Sequence, residues 1–212
     1  MAKGGESLDC IKIKSGTSLL RVFHAAPQSL PVDVYINEKL AFSNLKYKEF
    51  SNYKILSEGE YRIDVFVAGD MTKPIISGAL ELEEGQILTI AAIGDKDKLE
   101  LLVIDDHSDK FANTEKSSFR AVHLSPNTPN IDIYVNGKDL ITDLEYKQNT
   151  SYLDVKQDRY NMDVVLSESE MMVLCFSSTL KVDRIYTIYI IGDLPNLEAI
   201  QSVDGNTYLC KS

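Results

Sequence analysis

Val32-Asp33-Val34-Tyr35-Ile36-Asn37 is the stretch that decides the fold, because Ile131-Asp132-Ile133-Tyr134-Val135-Asn136 repeats it 99 residues later. In both segments apolar side chains alternate with polar ones, which is the period of a strand with one buried face. The likeness extends without a gap over residues 21–66 and 120–165, where 14 of 46 positions are identical. We infer that the chain is a tandem duplication of a unit of about 95 residues.

Each copy of the unit reads as short strands separated by turns. The turn Asn136-Gly137 predicts a type I′ hairpin, because both of its central residues need positive φ, and Asn37-Glu38 is a poorer version of it. No long amphipathic helix is predicted. The pattern therefore indicates an all-β protein of two tandem antiparallel β-sandwich domains. In the first copy the seven predicted strands lie near residues 19–24, 31–36, 51–56, 60–67, 74–82, 86–93 and 98–104.

The repeat predicts five segments along the chain. A polar, charged run that begins at Asp105-Asp106 separates the two copies and is typical of a solvated linker rather than a calcium loop, since it lacks the glycine and the spaced glutamate. The predicted segments are an N-terminal arm at 1–17, the first β-sandwich repeat at 18–105, a linker at 106–117, the second repeat at 118–205 and a C-terminal tail at 206–212.

The charge balance argues against nucleic acid as a partner. The chain has 22 Lys and Arg against 32 Asp and Glu, for a net charge of −10, and each half carries −5. Binding to phosphates needs clustered basic residues, and none cluster here. No run approaches the roughly 20 apolar residues that cross a bilayer, so membrane insertion is not expected. The polar N-terminus shows no secretory signal, which predicts synthesis in the cytoplasm without export.

Two copies of one motif resemble a known bacterial family. His24-Ala25-Ala26-Pro27 precedes the first segment quoted above, His123-Leu124-Ser125-Pro126 precedes the second, and Gly59-Glu60-Tyr61 opens a later alternating strand. This pattern is similar to the family called domain of unknown function 4397, over nearly the whole chain. The resemblance implies tandem immunoglobulin-like or transthyretin-like sandwiches, often on exported proteins, with no catalytic activity attached. It therefore suggests a location at a cell or spore surface.

Polar residues that recur in both copies are the candidate binding residues. The functional alternative is a binding surface carried twice, for a small molecule or a carbohydrate, and the structural alternative is a hydrogen-bond network that both sandwiches need. For the two histidines we favour a buried structural role over a metal site, and no metal or cofactor is predicted. The candidates are His24, Asp33, Tyr35, Asn37, His123, Asp132, Tyr134 and Asn136.

Three cysteines are too few for a disulfide scaffold. Cys175 lies in an apolar run and is predicted to belong to a core. Cys10 and Cys210 lie near the chain ends, where they are either incidental thiols or candidates for intermolecular disulfides in a coat or filament.

No enzyme signature is found, neither a nucleophile elbow nor a phosphate-cradling glycine loop, and no catalytic residue is predicted. The sequence thus favours a non-enzymatic tandem β-sandwich that serves as an interaction or structural module. The expected partners are proteins, further copies of this chain among them. The alternative is a self-assembling coat or filament subunit, cross-linked through the terminal cysteines. A small-molecule or carbohydrate binder ranks below both.

Overall fold

A computed structural model of the chain describes residues 11–95, 98–106 and 115–210. Its strands fall into two sets of eight, one for each copy of the repeat. The first set comprises β1 (Thr17–His24), β2 (Val32–Ile36), β3 (Lys39–Leu45), β4 (Lys54–Ser57), β5 (Gly59–Val67), β6 (Ile76–Leu82), β7 (Ile87–Asp95) and β8 (Lys98–Asp105).

The second set repeats this order and is followed by one turn of 3-10 helix at Gly205–Tyr208. Its strands are β9 (Ser117–His123), β10 (Ile131–Val135), β11 (Lys138–Leu144), β12 (Leu153–Val155), β13 (Asp158–Leu166), β14 (Met172–Leu180), β15 (Ile185–Asp193) and β16 (Asn196–Val203).

Each domain is a sandwich of two four-stranded sheets. In the first domain the strand orders are β4-β1-β7-β8 and β3-β2-β5-β6, and in the second they are β12-β9-β15-β16 and β11-β10-β13-β14. The predicted pair of β-sandwiches is confirmed. The sheets are not purely antiparallel, because β1 pairs with β7 and β9 with β15 in parallel. Five strands intervene within each of these pairs, so no hairpin forces an antiparallel arrangement.

The strand that the sequence pattern missed is β3. Its burial pattern is mostly exposed, because it lies at the edge of its sheet, and only Leu45 is fully buried. An edge strand with few inward side chains has little of the alternation by which strands are recognised. The structure therefore has eight strands in the first repeat where seven were predicted.

The sheets that contain β1 and β9 pack against each other, so the molecule has four layers with these two sheets inside. Alternate residues of β1 and β7 face either the first domain's own core or the second domain. The run Ile87–Asp95 is therefore apolar at nearly every position, as expected for a strand buried on both faces. The apolar side chains buried between the domains are Phe23, Ala25, Ala91, Ile93, Ile104, Val122, Leu124, Tyr189 and Ile191.

Both hairpins between the second and third strands of a domain have the same backbone. Asn37 and Glu38 have φ of 47° and 64°, and Asn136 and Gly137 have φ of 49° and 73°. The side-chain oxygen of Asn37 accepts a hydrogen bond from the Arg62 amide at 2.8 Å, which ties the turn to β5. The first repeat thus holds a glutamate in a left-handed conformation, for which the second repeat uses glycine.

Substitution of Glu38 by glycine is expected to raise the free energy of unfolding by about 0.5–1 kcal/mol, since glycine pays no steric penalty at positive φ. Urea unfolding monitored by circular dichroism measures this change. The reverse exchange, Gly137→Glu, is the matched control and should lower the free energy of unfolding by a similar amount, because nothing within 4 Å obstructs its Cβ. If Glu38→Gly and the parent chain have equal free energies of unfolding, the positive φ of Glu38 does not strain the fold.

The two ends of the chain meet in the structure. Ile11 and Leu209 form a parallel bridge, in which the Ile11 amide donates to the Tyr208 carbonyl at 2.7 Å. Cys210 is disulfide-bonded in this single chain, whereas Cys10 lies outside the described residues. Cys175 is a free and exposed thiol, so its predicted place in a core is wrong. It belongs to β14, an edge strand on which alternate side chains face solvent.

Candidate functional site

Each of the two repeated histidines forms a hydrogen bond to the loop that connects the two sheets of its sandwich. His24 ends β1, and its Nε2 lies 3.1 Å from the Leu30 carbonyl oxygen; in the second domain His123 Nε2 lies 3.2 Å from the Pro129 oxygen. A bond to a carbonyl requires a proton on Nε2, which leaves Nδ1 as an acceptor. The Ser125 amide donates to His123 Nδ1 at 3.3 Å. Burial lowers the pKa of both histidines.

The two repeated aspartates hold a bulge in the neighbouring edge strand. Asp33 accepts the Asn44 amide at 2.7 Å and the Gly69 amide at 3.0 Å. Asn44 has a φ of 51° and lies where the register between β2 and β3 shifts. Asp132 likewise accepts the Asp143 amide at 2.8 Å. These carboxylates fix the backbone of β3 and β11 in place.

The repeated tyrosines differ in exposure. Tyr35 is buried, with its hydroxyl donating to the Met71 sulfur at 3.1 Å and its ring edge-on to Phe66. Tyr134 is only half-buried. The two side chains therefore do not offer the same surface twice. Asn37 and Asn136 occupy the hairpin turns, and a carbohydrate or small-molecule role for these eight residues stays a prediction.

A buried polar cluster lies between the inner sheets, surrounded by the apolar residues of the domain interface. Arg21, on β1, is 4 % exposed and reaches into the second domain. Its guanidinium donates to the Ser202 hydroxyl at 2.6 Å, to the Val203 carbonyl at 3.0 Å and to the Asp204 carboxylate at 3.1 Å. Its Nε donates to Thr89 of its own domain at 2.7 Å.

Arg120 mirrors these bonds from the second domain. Its guanidinium donates to the Asp105 carbonyl at 2.7 Å and to the Asp106 carboxylate. Its Nε donates to the Thr187 hydroxyl at 2.9 Å. Each domain thus contributes an arginine to the other domain's buried aspartate, and the two ion pairs are related by the duplication.

Each of the two buried carboxylates also accepts a hydrogen bond from a tyrosine. The Tyr53 hydroxyl donates to Asp106 at 3.1 Å and the Tyr152 hydroxyl to Asp204 at 2.8 Å. Burial and, after it, the charge of Asp204 raise the pKa of Asp106 to about 6, although the two arginines act in the opposite direction. Burial also raises the pKa of both tyrosines, which keeps their hydroxyls protonated as donors.

A second pair of reciprocal ion pairs lies at the rim of the interface. Lys48 Nζ is 2.5 Å from Glu198 of the second domain, and Lys147 Nζ is 2.7 Å from Glu100 of the first. These side chains are more than a third exposed, so each pair contributes about 0–1 kcal/mol.

Several clefts open beside the strands of the first domain, and two of them lie between edge strands of its two sheets. One, of about 410 Å³, lies between β6 and β8 where Gly78 leaves room against Leu101. The register places Phe176 at the equivalent position of β14, where it packs against the second domain's core. The other cleft, of about 340 Å³, lies between β3 and β4 and is flanked by Lys39 and Lys54.

The sequence also places this chain among known proteins. The model of the family described as "Domain of unknown function (DUF4397)" matches residues 18–133 and 117–209. The chain belongs to this family. A comparison with curated proteins gives no match.

Nine solved chains match this member of the family. One of them, described as "Alpha-glucan binding by a streptococcal virulence factor", is 10% identical, covers 92% of this chain and 100% of its own length, and has a TM-score of 0.29. At that TM-score the likeness carries no argument about a ligand.

The polar cluster is the feature that sequence reasoning missed. The prediction of a solvated linker is wrong for Asp106, because its carboxylate is fully buried between two arginines. A signal was available: Arg21 and Arg120 are identical in the two repeats, as are the tyrosines that contact the carboxylates. Identical polar residues on otherwise apolar central strands indicate a shared buried network.

Two kinds of feature are absent from the described residues. Across residues 11–95, 98–106 and 115–210, no three His, Cys, Asp or Glu side chains are placed to hold one metal ion. The same part of the chain has no helix with the length and hydropathy needed to cross a bilayer.

Proposed function

We propose that the protein is a non-enzymatic module of two rigidly joined β-sandwiches whose work is contact with other proteins. The proposal rests on the contacts that the repeated polar side chains make. His24, Asp33, Arg21 and their counterparts in the second repeat are occupied by backbone atoms or by the other domain. A nucleophile or general base must be free to meet a substrate.

The domain interface supports the same proposal. Buried apolar residues, two buried ion pairs and two exposed ion pairs join the inner sheets. Such an interface holds the outer sheets and edge strands in fixed relative positions, which suits a scaffold that presents surfaces to partners. The proposed location, a bacterial cell or spore surface, rests on the family resemblance.

The alternative of a coat or filament subunit depends on a disulfide between chains. It needs a Cys210 thiol that is available to another copy, whereas Cys210 is already disulfide-bonded in the single chain. Size-exclusion chromatography with light scattering, with and without reductant, separates the two proposals. A contact module is expected to elute as a monomer under both conditions, and a subunit linked through its cysteines as an oligomer that reductant dissociates.

Cross-linking in intact cells tests the contact role. Exposed lysines such as Lys39, Lys54, Lys73 and Lys98 accept an amine-reactive cross-linker. Mass spectrometry is expected to find the same partner protein linked to them in independent cultures, and the partner should be absent when the cells are lysed in denaturant before the cross-linker is added. Cross-links confined to this chain, in cells that contain the protein at its natural level, would count against a contact function.

A further inference from the structure

We propose that the cleft between β3 and β4 binds an extended segment of a partner protein in which an apolar side chain is flanked by carboxylates. The proposal rests on the contact function above and names the chemistry of the partner. It uses the first domain alone, because the second domain lacks the same combination of residues.

The floor of the cleft is apolar. It is lined by Ile36, Leu40, Ala41, Leu56 and Tyr61, and Leu40 is 52% exposed on an edge strand. A volume of about 340 Å³ lies at the lower end of the range of ligand pockets. It fits one or two side chains rather than a large organic molecule.

The walls of the cleft carry positive charge. Lys39 lies on β3 and Lys54 on β4, on opposite sides of the apolar floor. Within the ranges that the structure describes, neither ammonium group has a carboxylate within 4.0 Å, although Lys54 Nζ lies 5.5 Å from the Phe42 ring. Two lysines beside an apolar floor form a local patch of positive charge in a chain whose net charge is −10. Charge complementarity therefore favours an acidic occupant.

The backbone around the cleft favours an extended peptide. β3 and β4 are both outermost strands of their sheets, so each has one row of backbone groups that no strand of its sheet pairs. A partner segment can add to such an edge through main-chain hydrogen bonds while its side chains fill the adjacent cleft. Two bulges interrupt β3, one between Leu40 and Phe42 and one between Phe42 and Leu45, so the regular part of this edge is the short stretch Lys39–Leu40.

The second domain shows which residues make the site distinctive. By register, Asp139 takes the position of Leu40 and Leu153 takes that of Lys54. The counterpart therefore has a carboxylate in place of an apolar side chain and has lost one of the two cations. An acidic segment would be repelled there, which leaves one site per chain.

The exchange between repeats supplies the test variants. Leu40→Asp and Lys54→Leu each introduce the residue that the second domain has at the equivalent position. Ile55→Asp is the control. Ile55 lies on β4 between two cleft residues but points to the opposite face, and it is 54% exposed. The probe is a fluorescein-labelled synthetic peptide in which glutamates alternate with phenylalanines, and binding is followed by fluorescence anisotropy.

The parent chain and Ile55→Asp are expected to bind the peptide equally. Lys54→Leu should weaken binding about fivefold, because one exposed ion pair is lost, and Leu40→Asp by more than about tenfold, because an apolar contact is replaced by a carboxylate that repels the acidic peptide. A peptide with lysine for glutamate should not bind, and added salt should weaken the binding of the acidic peptide. Urea unfolding of each variant shows that it is folded.

Three results would overturn the inference. The first is equal affinity of all four proteins for the peptide, and the second is no affinity in the folded parent chain. The third is displacement of the peptide by free decanoate at a lower concentration than by unlabelled peptide, which would indicate a small amphiphile as the ligand. The contact function is judged separately by cross-linking in cells: a partner linked only through Lys73 or Lys98 would leave that function standing while this site falls.

Discussion

Replacement of Arg120 by methionine is expected to lower the free energy of unfolding by about 3–5 kcal/mol. The Asp106 carboxylate is fully buried and receives hydrogen bonds from Arg120, Thr89 and Tyr53. Among the residues that the structure describes, the carboxylate then keeps only Arg21 as a cation, at 3.5 Å. The free energy of unfolding falls because the Asp106 carboxylate stays buried after it has lost its closest cation. The size of this fall does not mean that the intact ion pair is strongly stabilising. Urea unfolding at neutral pH measures the change.

Lys48→Met is the matched control for this prediction. It removes the cation of an interdomain pair that is 38% exposed at the lysine side chain, so its loss should cost less than about 1 kcal/mol. The double variant Arg120→Met with Asp106→Asn removes the buried charge as well, and should recover part of the stability that Arg120→Met loses. If Arg120→Met and Lys48→Met destabilise the chain equally, the buried cluster does not hold the domains together as described.

The architecture was predictable because its signals are local or repeated. Alternation in Val32–Asn37 and in its copy indicates strands without any knowledge of their partners. The duplication gives the number of domains directly. β3 escaped prediction for a local reason too, since an edge strand with polar side chains lacks that alternation. The parallel pairing of β1 with β7 depends on how the chain crosses between sheets, which periodicity does not record.

The site was harder to predict because it is built from two distant parts of the chain. Arg21 meets Asp204 only after both sandwiches have folded and packed, so no spacing in the sequence reveals the pair. Asp106 stands among charged residues, and its neighbours in sequence suggest solvent rather than a core. By contrast, Asp33 and Asp132 accept backbone amides of the neighbouring edge strand in the same domain. For those aspartates the structural alternative weighed from the sequence describes the observed contacts.

Acidification below pH 6.5 is expected to destabilise the chain through His24 and His123. Burial lowers the pKa of both imidazoles, and the bonds to the Leu30 and Pro129 carbonyls only partly oppose it. The unfolded state therefore binds protons first. The stability from neutral histidines is fully present above the unfolded pKa of about 6.5 and is lost as pH falls towards the folded pKa. The loss per histidine is at most about 1.4 kcal/mol per pH unit.

The same pH range contains an opposing group. The folded pKa of Asp106 is raised to about 6, so this carboxyl takes up a proton in the folded state before it does so in the unfolded state. Its contribution to stability is fully present below the unfolded pKa of about 3.8 and is lost as pH rises through about 6. The histidine effect must therefore be read as a difference between variants rather than from the parent chain alone.

His123→Gln isolates the histidine contribution, since a glutamine amide can donate to the Pro129 carbonyl without titrating. Between pH 7 and pH 5 the free energy of unfolding of this variant should fall less steeply than that of the parent chain, by up to about 1.4 kcal/mol per pH unit. NMR titration of the parent chain measures both imidazoles directly, which keeps the prediction testable if the variant fails to fold. Imidazole signals of His24 and His123 that titrate near pH 6.5 or above would show that burial does not hold them neutral.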